Sequence, residues 1–155
     1  MTAILVLGMG NPILSDDGVG LEVARRLRAT SLPDGVEVAE SESGGLRLLE
    51  LVRGFTHVAI IDAVQGSGAP GEVLRFDAAD FAGNHRTGSA HSIHVGTALE
   101  LGRRLGYEMP DEVIVFGVEA EDVESFGETL SPSVANAADR AVSMVRDQVV
   151  RWCAA

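Results

Sequence analysis

The sequence predicts an α/β protein with an open, mainly parallel sheet covered by helices on both faces. Three observations carry this. Short, continuous apolar runs ("AILVL", "HVAIIDAV", "EVIVFGV") suit strands buried on both sides. Segments with helical spacing of apolar residues alternate with those runs, and glycine-bearing turns separate the two.

Residues 3–7 form the first strand, closed by Gly8. A helix over about 18–29 follows, with Val19, Val23 and Leu27 on its inner face, Arg25, Arg26 and Arg28 toward water, and Asp16 or Asp17 as its cap. "GVEVAE" reads as the second strand and "LRLLELVRG" as a helix stopped by Gly54. Residues 57–64 give the third strand, which contains Asp62 near its end and runs into the loop "QGSGAPG". "EVLRF" is a further short strand, antiparallel or at an edge. The polar stretch 77–91 is long enough to be a working loop. A helix over about 92–105, a strand at 112–118 and a long terminal helix complete the order, the last with Ser131 as cap and Pro132 at its first position.

The length of 155 residues suits one domain spanning 1–155. A formal net charge of −11 argues against nucleic acid as partner, because that backbone is met by clustered cations. No stretch reaches the ~18 apolar residues of a membrane span, and the opening apolar run is too short for an export signal. Cys153 is the single cysteine, so neither an internal disulfide nor a zinc thiolate cluster forms within one chain. These features lead to the expectation of a cytoplasmic protein.

The stretch "LGMGNPILSDDGVG" carries the functional question. A dinucleotide fingerprint fails because Ile13 stands at the third glycine position, and no Gly-Lys-Ser/Thr makes it a P-loop. Two adjacent carboxylates at a helix start also repel a phosphate. Asp16 serves as a cap in this reading, with Asp17 held toward the crevice beyond the strand ends, where open α/β sheets bind ligands. Asp62 falls in the same crevice. A carboxylate ending an apolar strand costs several kcal/mol unless hydrogen-bonded, paired or on a metal; a structural hydrogen bond is the plain alternative. "SAHSIHVG" puts His91 and His94 three apart at a helix start, on one face. Two carboxylates and an imidazole suit a borderline divalent ion such as nickel or zinc, with the choice between His91 and His94 open. Cys153 has no nucleophile motif around it, and the common hydrolase signatures are absent.

"ILVLGMGNPILSDDGVG", "IIDAV", "SAHS" and "VFGVEAEDVESFGETLSPSV", in this order and spacing, closely resemble the hydrogenase maturation proteases, over residues 3 to about 145. The resemblance implies a three-layer αβα sandwich with a twisted central sheet. It also implies an endopeptidase that removes the C-terminal extension of a [NiFe]-hydrogenase large-subunit precursor after nickel insertion. The family's metal-contacting positions match Asp17, Asp62 and His91. These residues would test for nickel belonging to the substrate, with no tightly bound cofactor of the protein's own. A water polarised beside the same three residues would attack the scissile carbonyl; alternatively the metal only docks the substrate and another acid is the base.

Three departures stand out. Many relatives carry Glu at the position of Asp17. Relatives commonly have an Asp-Gly-Gly-Thr-like segment after the second strand, where this chain has Glu40, Glu42 and Gly44-Gly45, so that the role of that Asp passes by position to Glu40. His94 has no counterpart and is either an extra ligand or surface. A non-catalytic metal- or nucleotide-binding maturation chaperone is the competing function, and an independent metallohydrolase with its own ion a third. Partner choice is assigned to 77–90 and 119–131, polar segments not expected to be rigid alone.

Overall fold

The computed structural model describes residues 2–42, 46–78 and 95–155. Strands β1 (Ile4–Met9), β2 (Val36–Ser41), β3 (His57–Val64), β4 (Val73–Asp77) and β5 (Glu112–Glu119) form one sheet in the order β2-β1-β3-β5-β4. β1 pairs in parallel with β2 and β3, and β3 with β5, while the edge strand β4 runs antiparallel to β5. Helices α1 (Val19–Arg28), α2 (Leu46–Val52), α3 (Val95–Arg104) and α4 (Pro132–Ala154) cover it.

Because successive side chains of a strand point to opposite faces, each strand feeds two cores. Ile4 and Val6, Ala59 and Ile61, and Ile114 and Phe116 pack with Val19, Val23 and Leu27 of α1 and with α4. Leu5 and Leu7, Val58 and Ile60, and Val113 and Val115 pack with Leu48, Leu49 and Val52 of α2 and with Val95 and Leu99 of α3. This is the expected sheet sandwiched between helical layers, and β4 is antiparallel and at the edge as its sequence suggested. In α4, Val134, Ala137, Ala138, Ala141, Val145, Val149 and Trp152 recur at helical spacing and are buried.

The ends of the elements differ from expectation in one way that matters. Neither Asp16 nor Asp17 caps α1. A 3-10 turn, Ser15–Gly18, intervenes, and the residue at the N-cap is Gly18, with no side-chain cap. Ser131 does precede Pro132 at the start of α4, but its side chain makes no capping bond; its hydroxyl is used elsewhere.

β1 connects through α1 to β2 on one side, whereas β3 lies on the other side of β1. The switch point of this doubly wound sheet is therefore the crevice beyond the carboxyl ends of β1 and β3. At the opposite end, Thr56 Oγ1 accepts from Ala3 N at 3.0 Å, Trp152 Nε1 donates to Glu112 Oε2 at 3.1 Å, and the rings of His57 and Trp152 lie 5.1 Å apart.

Candidate functional site

The turn after β1 is shaped by close backbone approach. Gly10 has φ +152°, and a Cβ there would collide with the carbonyl oxygen of Asp17. A Cβ on Gly20 would strike the carbonyl oxygens of both Met9 and Ile61. The first turn of α1 thus wedges against the ends of β1 and β3, three residues after Asp17 and one residue before Asp62. In the sheet register Gly8 pairs with Ile61, so the turn of β1 and Asp62 of β3 leave the sheet side by side.

Asp17 is 7% exposed and its Oδ2 accepts from Asn11 N at 2.9 Å, tying the acid back onto the turn it closes. Asp62 is fully buried, and its Oδ1 accepts from Ala63 N at 2.8 Å. Strand alternation sends its side chain to the face covered by α2 and α3. The connection after α3 returns to the base, where Asp111 N donates to Thr56 O at 2.8 Å, so α3 starts at the rim end, at Val95. His91 and His94 lie outside the described residues. Among the described residues no three metal-capable side chains come together, and within those residues the expected constellation reduces to Asp17 and Asp62.

Asp16 takes a role that the sequence did not announce. Fully buried, its carboxylate accepts from Glu121 N, Asp122 N, Ser131 N and Ser131 Oγ, at 3.0, 2.9, 2.7 and 2.8 Å. Its own N–H donates to Asp122 O at 2.9 Å. A desolvated carboxylate is tolerable only with such compensation. Here the donors come from a segment more than a hundred positions away, so Asp16 fastens the loop after β5 to the turn after β1. Ser15, the one described non-glycine residue with positive φ (52°), is held beside it: its N–H donates to Gly127 O at 2.9 Å and its hydroxyl to Ser125 O at 2.7 Å. The left-handed conformation costs about 1–2 kcal/mol, which these contacts offset.

The segment 120–131 is accordingly anchored rather than loose. Asp122 Oδ1 accepts from Glu124 N at 3.0 Å and Ser125 N at 2.9 Å. Those bonds, above all from Ser125, hold the Asp122 carboxyl below the ordinary carboxylate range. Glu119, nearly fully buried at the end of β5, plays a matching part for the loop after β3, accepting from Gly66 N at 2.7 Å and Ser67 N at 3.2 Å. Its position at a strand end beside Asp62's strand is the signal that could have singled it out. Glu40 instead clasps α1, accepting from Arg25 Nε at 3.1 Å and Arg28 Nη1 at 2.8 Å. A concavity of about 790 Å³ is lined by Asp77, Leu99, Arg103 and Glu112; it lies beside the amino end of β5, away from Asp62.

A family described as hydrogenase maturation protease (HycI) matches residues 21–148. The chain belongs to the hydrogenase maturation protease family. It is 32% identical over 125 residues to the hydrogenase 2 maturation protease of Escherichia coli, covering 78% of this chain and 75% of that protein. The maturating endopeptidase HybD from E. coli superimposes with a TM-score of 0.83 at 28% identity, covering 97% of this chain and 93% of the other. The [NiFe] hydrogenase maturation protease HybD from Thermococcus kodakarensis gives 0.74 at 27% identity, covering 96% and 99%. The protein is therefore a hydrogenase maturation endopeptidase, and the reading as a non-catalytic chaperone falls away. The family match begins after Asp17 and spans Asp62 and position 91. Among the described residues of the protease no helix is long and apolar enough to cross a membrane.

Proposed function

We propose that this protease removes the C-terminal extension of a [NiFe]-hydrogenase large-subunit precursor once nickel has been inserted, and that Asp17, Asp62 and His91 contact that substrate nickel. The observation that carries the reading is the wedge of Gly20 against Met9 and Ile61, which draws Asp17 and Asp62 to the ends of adjacent strands at the switch point of the sheet. Carboxylates suit a divalent ion that already carries ligands of its own, since the protease needs only an incomplete set. No tightly bound cofactor is required.

Cleavage is then of the aspartyl type. Seating the nickel orders the scissile bond beside the two carboxylates, and a water held there adds its oxygen to the carbonyl carbon. One carboxylate takes the water's proton and, now acting as an acid, returns it to the leaving nitrogen as the C–N bond breaks. We place the reaction in the cytoplasm, in keeping with a lone, exposed Cys153.

Asp17→Asn and Asp62→Asn separate recognition from chemistry. With nickel-loaded precursor, Asp17→Asn is expected to retain nickel-dependent binding and to lose cleavage by about a hundredfold or more. Asp62→Asn is expected to weaken nickel-dependent binding itself. Unchanged cleavage by Asp17→Asn removes that residue from the mechanism.

A further inference from the structure

The rim carries an apolar side chain that the fold does not use. Phe126 is 85% exposed, the most exposed large apolar residue among those described. Leaving such a ring in water forgoes the gain that burial of its apolar surface would bring. It does not sit on a loose loop tip. Leu14 and Gly127 form a parallel bridge, Gly127 N donates to Ile13 O at 2.8 Å, and Ser15 Oγ donates to Ser125 O at 2.7 Å. The Asp122 turn on one side and the Asp16 brace on both sides complete the anchorage. Ile13, 47% exposed, is the residue whose carbonyl receives Gly127, so two unburied apolar side chains flank one bridge, four residues from Asp17.

Charge indicates what these residues meet. Glu121, Glu124 and Glu128 on the same segment are exposed. No Arg occurs between Arg104 and Arg140, and the chain has no Lys at all. An occupant of this rim therefore gains most if an apolar side chain is accompanied by positive charge.

We infer that Phe126, with Ile13, is a substrate-anchoring contact that grips an apolar residue of the precursor polypeptide lying next to basic residues, the acids of 121–128 receiving those charges. The inference rests on the proposed action on a hydrogenase precursor and adds the chemistry by which that precursor is held. Rigid aromatic side chains presented to a partner are the usual anchors of protein recognition, and they bind best when already fixed in place.

The test is steady-state cleavage of nickel-loaded precursor. Phe126→Ala is expected to raise KM on the order of tenfold with kcat within about twofold, while the thermal midpoint stays unchanged because the ring packs against little. Phe126→Leu restores most of the lost KM. Glu124→Gln combined with Glu128→Gln also raises KM, and its difference from the unsubstituted protein closes as salt is added. An unchanged KM in Phe126→Ala, beside normal cleavage by the unsubstituted protein, overturns the inference and leaves the proposed function standing. A lowered thermal midpoint with a fallen kcat assigns Phe126 a structural role and overturns it too. Failure of the unsubstituted protein to cleave overturns the proposed function, and the inference with it.

Discussion

The two ends of the sheet solve the problem of buried polar groups in opposite ways. At the base, side chains satisfy one another and the chain's beginning: Thr56 with Ala3, Trp152 with Glu112, and the ring of His57 against that of Trp152. At the rim, carboxylates accept from backbone N–H groups: Asp16 from those of 121, 122 and 131, with the Ser131 hydroxyl beside them, Asp17 from Asn11, Asp62 from Ala63, and Glu119 from residues 66 and 67. Amide donors stabilise an anion without neutralising it. Among the described residues, neither Asp16 nor Glu119 joins an ion pair; Arg25, Arg26, Arg28, Arg53 and Arg104, all on helices or just after them, pair with other acids. The base is thus a polar seal among side chains, whereas the rim gathers its carboxylates onto backbone donors, an arrangement that suits the proposed contact with a cation.

In the proposed reaction the rim acids divide between bracing and contact, and substitution separates the two. Asp16→Ala leaves several part-buried donors without their acceptor and is expected to cost about 3 kcal/mol, read as a lowered urea midpoint together with loss of cleavage. A loss near 1 kcal/mol is what a helix cap gives, and it would remove the distinction drawn between Asp16 and a cap. At the base, Trp152→Phe keeps an aromatic ring but deletes the indole N–H and its bond to Glu112. It is expected to cost about 1–3 kcal/mol, from the lost bond and the smaller buried ring, and to leave cleavage unaltered. A loss of cleavage there would show that the two ends are coupled.

The smallest effect concerns pH. With its carboxyl held low by the N–H groups of Ser125 and Glu124, Asp122 contributes its turn fully above the ordinary carboxylate range. That contribution is lost as the pH falls through the lowered midpoint. Carboxyl NMR is expected to show Asp122 titrating below an unstructured Asp, and Asp122→Asn to remove that low-pH step. A midpoint at the ordinary value would contradict the turn.

The layers of the fold were legible because its signals are local. Apolar runs mark β1, β3 and β5 and helical spacing marks α1 and α4, and alternation of the two dictates a parallel sheet whose ligand edge is known in advance. Even the edge strand β4 showed itself, being short and following a glycine-rich loop. The acids at the rim were only half legible. Asp62 stands out as a charge in an apolar strand. Asp16 and Asp17 are adjacent and chemically identical, and which of them braces and which contacts depends on where residues 121–131 arrive. That arrival is a tertiary event: Ser131 looked like a cap because it precedes a proline at a helix start, yet its hydroxyl goes to Asp16. The anchoring of 120–131 was missed for the same reason, since its polar composition says nothing of a buried acceptor more than a hundred residues earlier.

The most direct test of the central claim is intact-mass spectrometry of a hydrogenase large-subunit precursor, nickel-loaded or nickel-free, after incubation with this protein. A defined C-terminal peptide released from the loaded precursor alone is the predicted result. Equal release from both forms, or none from either, would contradict the claim that the rim carboxylates read the metal before the chain is cut.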